Sequence, residues 1–498
     1  MKHFLWIAIL AVFAGTLLFG APESQDSPAA QIANVEAAQS PNPQGLAPYT
    51  LPQLMERFHI PGVSIAVARD FQVQWVKTYG VADVSAGTPV TSETRFQAAS
   101  ISKPVTAFAV LRAVEAGKLS LDEDVNRYLK SWKVRDNQFI HDHAVTLRAL
   151  LSHTSGTGDA FGFPGYAPGA DRPTLVQILD GKPPSNVGPV FWERPPFAAY
   201  KYSGGGIVIV QLLLQDVYGQ PFAQIMRQLV LEPVGMTHST YEQPLPAEMD
   251  RSAARAHNGD GMALAAKWHV YPEEAAAGLW TTPTDLVKFG IELQKALRGE
   301  SKLLSHSTAL EMVAPVGTGP FAIGFGIEKR GEDGWYFTHS GSNWGFQCEL
   351  LMHRLKGYGI AVMTNSDRGG RIINEIETRV AAAATWDMLD KPVPRPMNMI
   401  LVRALAAFVP VCVLFGGSVV WLFRVRTVWC VLQVVGAGAI VVVIVAHVCE
   451  ALHLLPWMGW GLEHSPGHYV DLLSAVLGAT LFPLGYLADG LASWHVHR

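Results

Sequence analysis

Three long apolar segments near the carboxyl end constrain the fold of this chain most. Residues 404–423, 427–447 and 472–488 each supply an apolar run of roughly 20 residues, which is the length that an α-helix needs to cross a bilayer core of about 30 Å. Only 16% of the residues in the chain are charged. We therefore predict three transmembrane helices, in contact with membrane lipid, that follow a separate globular region.

The amino-terminal segment and the charges between the spans predict an orientation. Residues 1–21 have an early lysine and then a long apolar run, which is typical of a signal peptide or signal anchor. Arg424 and Arg426 lie between the first two spans, whereas the link between the second and third has no lysine or arginine. The positive-inside rule then places the two arginines in the cytoplasm. We expect a protein of the bacterial inner (cytoplasmic) membrane, with its globular region on the periplasmic, extracytoplasmic side.

The segments between the apolar regions differ in composition. Residues 22–46 are rich in Ala, Gln, Ser and Pro, so we expect a flexible tether there. Residues 47–390 have the mixed composition of one globular domain, and the proline-rich residues 391–403 form a stiff linker to the membrane. The formal net charge of −4 gives no electrostatic footprint for nucleic acid. The sequence does not indicate an oligomeric state.

Hydrophobic periodicity predicts an α+β fold for the globular domain. Strand-like runs occur at both ends of the domain, and helical segments lie between them. This order predicts an antiparallel β-sheet flanked by helices, with an inserted helical subdomain. The predicted strands are 62–68, 73–79, 324–329, 335–338, 346–352 and 359–364, and the clearest predicted helices are 51–58, 145–151, 207–217 and 372–388.

Ser100 and Lys103 form the most informative polar pair of the domain. Positions i and i+3 of a helix share a face, about 5–6 Å apart at Cβ, so the lysine amine can reach the serine hydroxyl. Pro104 is tolerated only in the first turn of a helix, and it therefore places Ser100 at the helix start, where free N–H groups can stabilise an oxyanion. The pair predicts a serine nucleophile with a lysine base. Taken alone, the spacing also fits an N-cap serine beside a solvated lysine.

Tyr202 offers a second group that can exchange protons with a serine. It lies on a glycine-rich turn, directly before Ser203, Gly204 and a predicted helix. A phenol at such a site can act as acid and base if a neighbouring cation favours its phenolate, and Lys103 would be that cation. A half-buried aromatic residue without a chemical role is the alternative for this tyrosine taken alone.

The segment 339–343, with the sequence His-Ser-Gly-Ser-Asn, directly follows a predicted strand. Because Gly341 has no side chain, it would let substrate approach the backbone closely. A backbone N–H at the end of the strand would then form an oxyanion hole together with that of Ser100. We therefore expect this segment at the same site as Ser100.

Together these segments resemble the serine β-lactamase and penicillin-binding-protein superfamily, in its branch with class C β-lactamases, D,D-carboxypeptidases, D-aminopeptidases and carboxylesterases. The resemblance covers about residues 50–388, with further matches at 153–156 (His-Thr-Ser-Gly), 231–236 and 276–285 in the family's order. It implies a β-lactamase/transpeptidase-like fold and an acyl-enzyme mechanism.

The resemblance also implies roles for individual residues. Ser100, Lys103 and Tyr202 would be catalytic. The backbone N–H groups of Ser100 and Ser342 would form the oxyanion hole.

Two departures from the family pattern bear on the substrate. Members that act on β-lactams typically have Y-x-N, whose Asn holds the substrate's acyl-amide side chain, and Gly204 leaves that contact absent. They also typically have K-T-G, whose Lys draws in the substrate carboxylate, where this chain has His339, mostly neutral near pH 7. The resemblance thus implies poor antibiotic hydrolysis and a substrate pocket lined by His339, Gly341, Asn343 and Gly204.

The resulting hypothesis is a membrane-anchored serine hydrolase that acts through an acyl-enzyme on an amide or ester in a small molecule or short peptide containing a D-amino acid. The H-x-G form resembles D-aminopeptidases and some D,D-carboxypeptidases. The layout of an exported domain and three spans further resembles membrane-bound peptidases that remove an N-acyl-D-amino-acid cap. The alternatives are a carboxylesterase, a class C-type β-lactamase, and an inactive cell-wall-binding or signalling relative.

No cofactor and no metal are expected. A zinc hydrolase needs clustered ligands, and the close histidine pair His141 and His143 occurs without H-E-x-x-H. An α/β-hydrolase would have G-x-S-x-G, which the sequence lacks. Both of these hydrolase classes are therefore disfavoured.

Overall fold

The chain divides into two units, residues 1–390 and 391–498, and each has its own fold. The computed structural model describes residues 27–39, 48–158, 162–332, 334–386, 399–451, 458 and 465–496. The predicted signal segment, residues 1–21, lies outside the described residues.

An antiparallel sheet is the frame of the first unit. Its strands, within the described residues, are β1 (Gly62–Arg69), β2 (Gln72–Asp83), β3 (Thr88–Pro89), β4 (Phe96–Gln97), β5 (Trp280–Thr281), β6 (Gly326–Arg330), β7 (Gly334–Asn343), β8 (Phe346–His353) and β9 (Gly359–Thr364). The main sheet has seven strands in the order β3-β2-β1-β9-β8-β7-β6, and β4 pairs separately with β5. Every pairing is antiparallel.

Helices occupy the two ends and the middle of the first unit. In chain order they are α1 (Pro28–Glu36), α2 (Leu51–Phe58), α3 (Ser102–Glu115), α4 (Leu147–Leu151), α5 (Leu175–Asp180), α6 (Gly204–Tyr218), α7 (Phe222–Met226), α8 (Glu232–Val234), α9 (Ala247–Asp250), α10 (Glu274–Ala277), α11 (Pro283–Leu297), α12 (His306–Met312) and α13 (Gly370–Ala383).

Both faces of the sheet are buried under helices. On one face, side chains such as Ile65 and Ile360 pack with α1, α2 and α13. On the other face, side chains such as Ala66 and Met352 pack with α11 and with the helical region that contains α3 and α6. This arrangement confirms the predicted α+β fold, in which an antiparallel sheet is flanked by helices.

The predicted opening helix and hairpin are confirmed. Thr50 caps α2, and its side chain and that of Gln53 exchange hydrogen bonds with each other's backbone N–H groups. The helix ends where His59 adopts a left-handed conformation, with φ of 56°. β1 and β2 then pair across a tight turn, from Gly62 opposite Gly80 to Arg69 opposite Gln72.

The predicted boundary of the strand at 335–338 is wrong. β7 does not end before the segment 339–343 but runs through it, because β8 pairs with β7 as far as Asn343 opposite Phe346. On its other side, β6 pairs with β7 only as far as Thr338. Within the described residues, this edge of the 339–343 segment has no strand partner.

The prediction of a flexible tether over 22–46 is wrong for residues 28–36, which form helix α1. Ser27 caps the helix, and Val35 is fully buried. The Trp75 Nε1–H of β2 donates a hydrogen bond to Gln31 Oε1 at 3.0 Å. The composition of the segment is polar, but these few contacts fix it to the edge of the domain.

Arg379 of α13 is the strongest reason for this docking. Its side chain is 1% exposed and pairs with Glu375 at 2.7 Å. The guanidinium also donates to the carbonyl oxygens of Val35, Ala37 and Tyr49, at 3.1, 2.9 and 2.9 Å. A buried guanidinium needs such acceptors, and the amino-terminal segment supplies them.

The described residues of the second unit include three long apolar helices, α14 (Met399–Val425), α15 (Val428–Ala451) and α16 (Pro466–Val496). The stretches Ala407–Val425, Val428–Cys449 and Pro466–Ala492 have mean hydropathies of 2.0, 2.6 and 1.6, and they are long and apolar enough to cross a membrane. The third helix is longer than the predicted span 472–488. Residues 391–398 of the predicted linker lie outside the described residues.

Polar side chains connect the three apolar helices. The Trp421 Nε1–H of α14 donates to Asp489 Oδ2 of α16 at 2.7 Å. The Gln433 Nε2–H of α15 donates to the Gly485 carbonyl of α16 at 3.2 Å. Polar groups in apolar helices are costly unless they pair with one another, so these contacts fix which helix faces meet.

Candidate active site

Ser100 lies on a strained turn at the start of α3. A 3₁₀ turn, Ala99–Ile101, leads directly into the helix. Ala99 has a φ of 52°, in the left-handed region that residues other than glycine rarely adopt. The turn is anchored because the Ala98 N–H donates to the Leu279 carbonyl at 2.8 Å. Its geometry leaves Ser100 partly exposed, whereas both of its neighbours are buried.

Lys103 contacts Ser100 as the spacing predicts. Its Nζ lies 2.9 Å from Ser100 Oγ and also donates to the Ala276 carbonyl at 2.7 Å. The side chain is 2% exposed. Because burial disfavours the charged amine, the pKa of Lys103 falls to about 7. A substantial fraction of this amine is therefore neutral at neutral pH and can accept a proton.

Tyr202 contacts Ser100 from another side. Its phenol hydrogen-bonds to the Ser100 hydroxyl, and Lys103 Nζ lies 5.1 Å from the centre of its ring. Burial raises the pKa of Tyr202 to about 12, which outweighs the opposing effect of the hydrogen bond to Ser100. The expectation that a Lys103 cation favours the phenolate is wrong, because burial disfavours both charges. The serine hydroxyl lies between an amine that is partly neutral at neutral pH and a neutral phenol.

Gly341 has a packing role that the sequence did not predict. A Cβ atom at this position would lie 2.2 Å from the Ala98 carbonyl oxygen and 2.5 Å from Cys348 Sγ. The missing side chain therefore lets β7 approach the turn before Ser100, whereas we expected it to make room for substrate. Ser342 follows on the same strand, opposite Gln347 of β8, and is exposed.

His339 is buried and neutral. Its Nδ1 lies 2.6 Å from the Ser340 carbonyl, which can only accept, so Nδ1 carries the proton and Nε2 a lone pair. Nε2 is buried and has no hydrogen-bond partner among the described residues. Burial, with a smaller contribution from Lys103, lowers the pKa of His339 to about 3. The position thus offers an uncharged acceptor.

Asn343 and Gly204 are held within the fold. Asn343 Nδ2 donates to Gln97 Oε1 and to the Ala277 carbonyl, each at 3.0 Å. Its amide hydrogens therefore connect β7 to β4 and α10. Gly204 is the buried first residue of α6, and the Ser203 side chain caps that helix.

Sequence reasoning missed three aromatic residues beside the serine. His153, Tyr200 and Phe321 join Tyr202 and His339 in a cluster that we call the aromatic wall. Phe321 is its centre, with ring centroids 5.1 Å from His153, 5.5 Å from Tyr200, 5.9 Å from Tyr202 and 5.6 Å from His339. His153 had a signal, the His-Thr-Ser-Gly motif. Phe321 lies in a loop that no motif marks.

The described residues contain no group of three or more His, Cys, Asp or Glu side chains that could hold a metal ion. His141 of the pair His141 and His143 is exposed, and its Nδ1 lies 2.6 Å from Asp136. That contact raises the pKa of His141.

Comparison with known proteins identifies the family. A family model described as Beta-lactamase matches residues 50–385, which is more than half of the chain. The chain belongs to the β-lactamase family. Its first unit has the fold of that family.

Two curated relatives show how far the similarity extends. The protein flp of Staphylococcus aureus (strain MW2) is 24% identical over 339 residues, which cover 66% of this chain and 64% of that protein. Esterase EstB of Burkholderia gladioli is 32% identical over 214 residues, which cover 41% of this chain and 52% of EstB. The chain therefore spans less than two thirds of the length of these relatives.

A solved structure of the D-amino acid amidase of Ochrobactrum anthropi SV3, in complex with L-phenylalanine, has a similar fold. The two chains are 21% identical, the TM-score is 0.53, and the match covers 67% of this chain and 98% of the amidase. At 21% identity, the similarity shows only that the first unit shares this fold.

Proposed function

We propose that this chain is a membrane-anchored, extracytoplasmic serine hydrolase that forms an acyl-enzyme on Ser100. Its substrate is an amide or ester in a small molecule or short peptide that contains a D-amino acid. One observation carries this proposal: the Ser100 hydroxyl hydrogen-bonds to both the buried Lys103 amine and the Tyr202 phenol. If Lys103 were a solvated lysine and Ser100 only a helix-capping residue, the two side chains would not be expected to contact each other in a buried site.

The proposed reaction begins when neutral Lys103 accepts the Ser100 proton. Ser100 Oγ bonds to the substrate carbonyl carbon, and the N–H groups of Ser100 and Ser342 stabilise the oxyanion. As the bond to the leaving group breaks, the proton passes from Lys103 through the Tyr202 phenol to that group. Water then gives a proton back along the same path, attacks the ester and releases the acid, and Ser100 regains its proton.

Two features of the site support a substrate whose group opposite His339 is uncharged. The imidazole is neutral and presents a lone pair, so it gives no attraction to a substrate carboxylate. Gly204 provides no amide to hold an acyl-amide side chain of the kind found on β-lactams. A D-amino-acid amide lacks the carboxylate, and the similarity in fold to the D-amino acid amidase supports this class.

A carboxylesterase is the second candidate. The aromatic wall gives the site an apolar side that suits an ester with a hydrophobic acyl group. The identity of 32% to EstB over 214 residues supports the same activity.

The location is part of the proposal. The three apolar helices of the second unit would anchor the domain. Arg424 and Arg426 between the first two helices favour the cytoplasmic side for that link. The first unit, including Ser100, would then lie on the extracytoplasmic side.

Rates on matched substrates test the proposal. We expect kcat/KM of the full-length enzyme for D-amino-acid p-nitroanilides to exceed that for the L-enantiomers and for a chromogenic cephalosporin by at least about tenfold, since one lost polar contact costs about this factor. Short p-nitrophenyl esters are the third arm. Fast ester hydrolysis without a D-preference would favour the esterase, and a preference for the cephalosporin would overturn the proposal. A lack of turnover in every arm would indicate an inactive relative.

The pKa of Lys103 sets an expected pH profile. Only the neutral amine accepts the Ser100 proton, and its pKa is about 7. We expect kcat/KM to fall by about tenfold per pH unit below pH 7 and to level off above it. Stopped-assay rates between pH 5.5 and 9 measure this, with circular dichroism at each pH to verify folding. A flat profile down to pH 5.5 would contradict the role of Lys103 as base.

A further inference from the structure

His153 makes three contacts with Tyr202 and its two chain neighbours. The Lys201 N–H donates to the His153 carbonyl at 2.8 Å, and the Ser203 N–H donates to His153 Nδ1 at 3.2 Å. Between these two bonds, the imidazole packs on the Tyr202 ring, with centroids 4.2 Å apart and an interplanar angle of 31°. Both chain neighbours of the tyrosine and its ring are therefore held by one residue.

The backbone at His153 is one that usually has glycine. The end of α4 is a Schellman motif, in which the Thr154 N–H donates to Ala149 O at 2.9 Å and the His153 N–H to Leu150 O at 3.3 Å. His153 takes the left-handed position of this motif, with φ of 59°. Glycine would adopt this conformation without strain. A histidine here opposes the backbone preference, which points to a use for its side chain.

The state of the imidazole is also fixed. Because Nδ1 accepts from the Ser203 N–H, the proton of the neutral ring lies on Nε2. The side chain is 1% exposed. Burial, with the nearby Lys103 and His339, lowers the pKa of His153 well below its usual range. The ring is thus a neutral and rigid surface against which Tyr202 packs.

We propose that His153 is a positioning residue that holds the Tyr202 phenol against the Ser100 hydroxyl. This proposal rests on the proposed catalytic role of Tyr202. The alignment of a proton-transfer group acts on the chemical step, and a misplacement of about 1 Å can cost about 10²-fold in rate. Substrate binding does not depend directly on the alignment of the Tyr202 phenol. The expected signature is a loss in kcat with little change in KM.

Two substitutions separate the contacts of His153. We expect His153→Ala to lower kcat by about 10- to 100-fold with KM within about threefold. We expect His153→Asn to recover most of this loss, because asparagine tolerates the left-handed conformation and its Oδ1 can accept from the Ser203 N–H. Active-site titration would correct each rate for the folded fraction. An equal loss of kcat in both variants would contradict a positioning effect of the hydrogen bond from the Ser203 N–H.

His353 supplies a matched control. It is also buried, its Nδ1 accepts from the Leu355 and Lys356 N–H groups at 3.0 and 2.9 Å, and its ring packs on Tyr336 and Tyr358. It lies at the far end of β8, away from Ser100. We expect His353→Asn to lower the melting temperature and leave kcat of the folded enzyme unchanged. A similar fall in kcat there would make the His153 effect a general result of lost packing.

A double-mutant cycle with Tyr202→Phe decides whether His153 acts through the phenol. If it does, His153→Ala costs less than about threefold in kcat once the hydroxyl is gone. The same full loss in both backgrounds would overturn the proposal and leave the function of Tyr202 intact. If Tyr202→Phe alone had no effect on kcat, the catalytic role of Tyr202 would fail and the positioning role with it, whereas the hydrolase function would still be tested by Ser100→Ala.

Discussion

The Ser100→Ala variant is expected to lose at least about 10⁴-fold in kcat on every substrate that the wild type hydrolyses, as single removals of a nucleophile do in other serine hydrolases. The reason is that the Ser100 hydroxyl contacts both the Lys103 amine and the Tyr202 phenol. Covalent labelling by a fluorophosphonate or penicillin probe should disappear as well. Initial rates and intact-protein mass spectrometry measure the two effects.

Ser92→Ala is a suitable control for this loss. Ser92 is exposed in the loop before β4, and its removal should leave rates and labelling unchanged. A labelled Ser100→Ala variant would place the nucleophile elsewhere. A wild type that no probe labels and that hydrolyses no substrate would remove the acyl-enzyme from the proposal.

Tyr202→Phe is expected to lower kcat by about 10² to 10⁴-fold, the usual contribution of one acid–base group. The substitution keeps the ring that packs on His153 and removes only the hydroxyl that contacts Ser100. Lys103 can still accept the serine proton, so labelling should persist at a reduced rate. Pre-steady-state kinetics would distinguish slower acylation from slower release of the acyl-enzyme.

The helix that follows Tyr202 offers a matched tyrosine. Tyr218 ends α6, and Lys118 Nζ lies 4.3 Å from its ring centre, so it repeats the lysine–tyrosine contact of the site at a distance from Ser100. Tyr218→Phe should leave kcat within about threefold of the wild type, as expected for a substitution away from the site. A loss of less than tenfold in Tyr202→Phe would remove its phenol from the mechanism.

The local features of the fold could be predicted from the sequence. Alternating apolar residues indicated the strands, and Pro104 fixed where α3 begins. Contacts that no motif marks could not be predicted. The hydrogen bonds by which Trp75 and Arg379 hold the helix at 28–36 are of this kind.

The candidate site, like the fold, could be predicted in part from the sequence. Motifs identified Ser100, Lys103 and Tyr202, and the structure brings the three together. The protonation state of Tyr202 was predicted wrongly, because it depends on burial, which arises from segments far along the chain. His153 was visible as part of a motif, but its left-handed backbone was not, since histidine gives no signal for that conformation.

The docking of α1 also affects where the domain begins. The part of the chain that matches the family starts at residue 50, but the carbonyl groups of Val35, Ala37 and Tyr49 that satisfy the Arg379 guanidinium lie before it. A shortened chain that starts at residue 50 would leave a buried charge with Glu375 as its remaining partner among these contacts. A hydrogen bond to a charged group contributes about 1.5–3 kcal/mol to stability, so the loss of these acceptors should destabilise the domain. The residues from Ser27 to Tyr49 that the structure describes therefore belong to the folded domain, and a shortened chain should retain them.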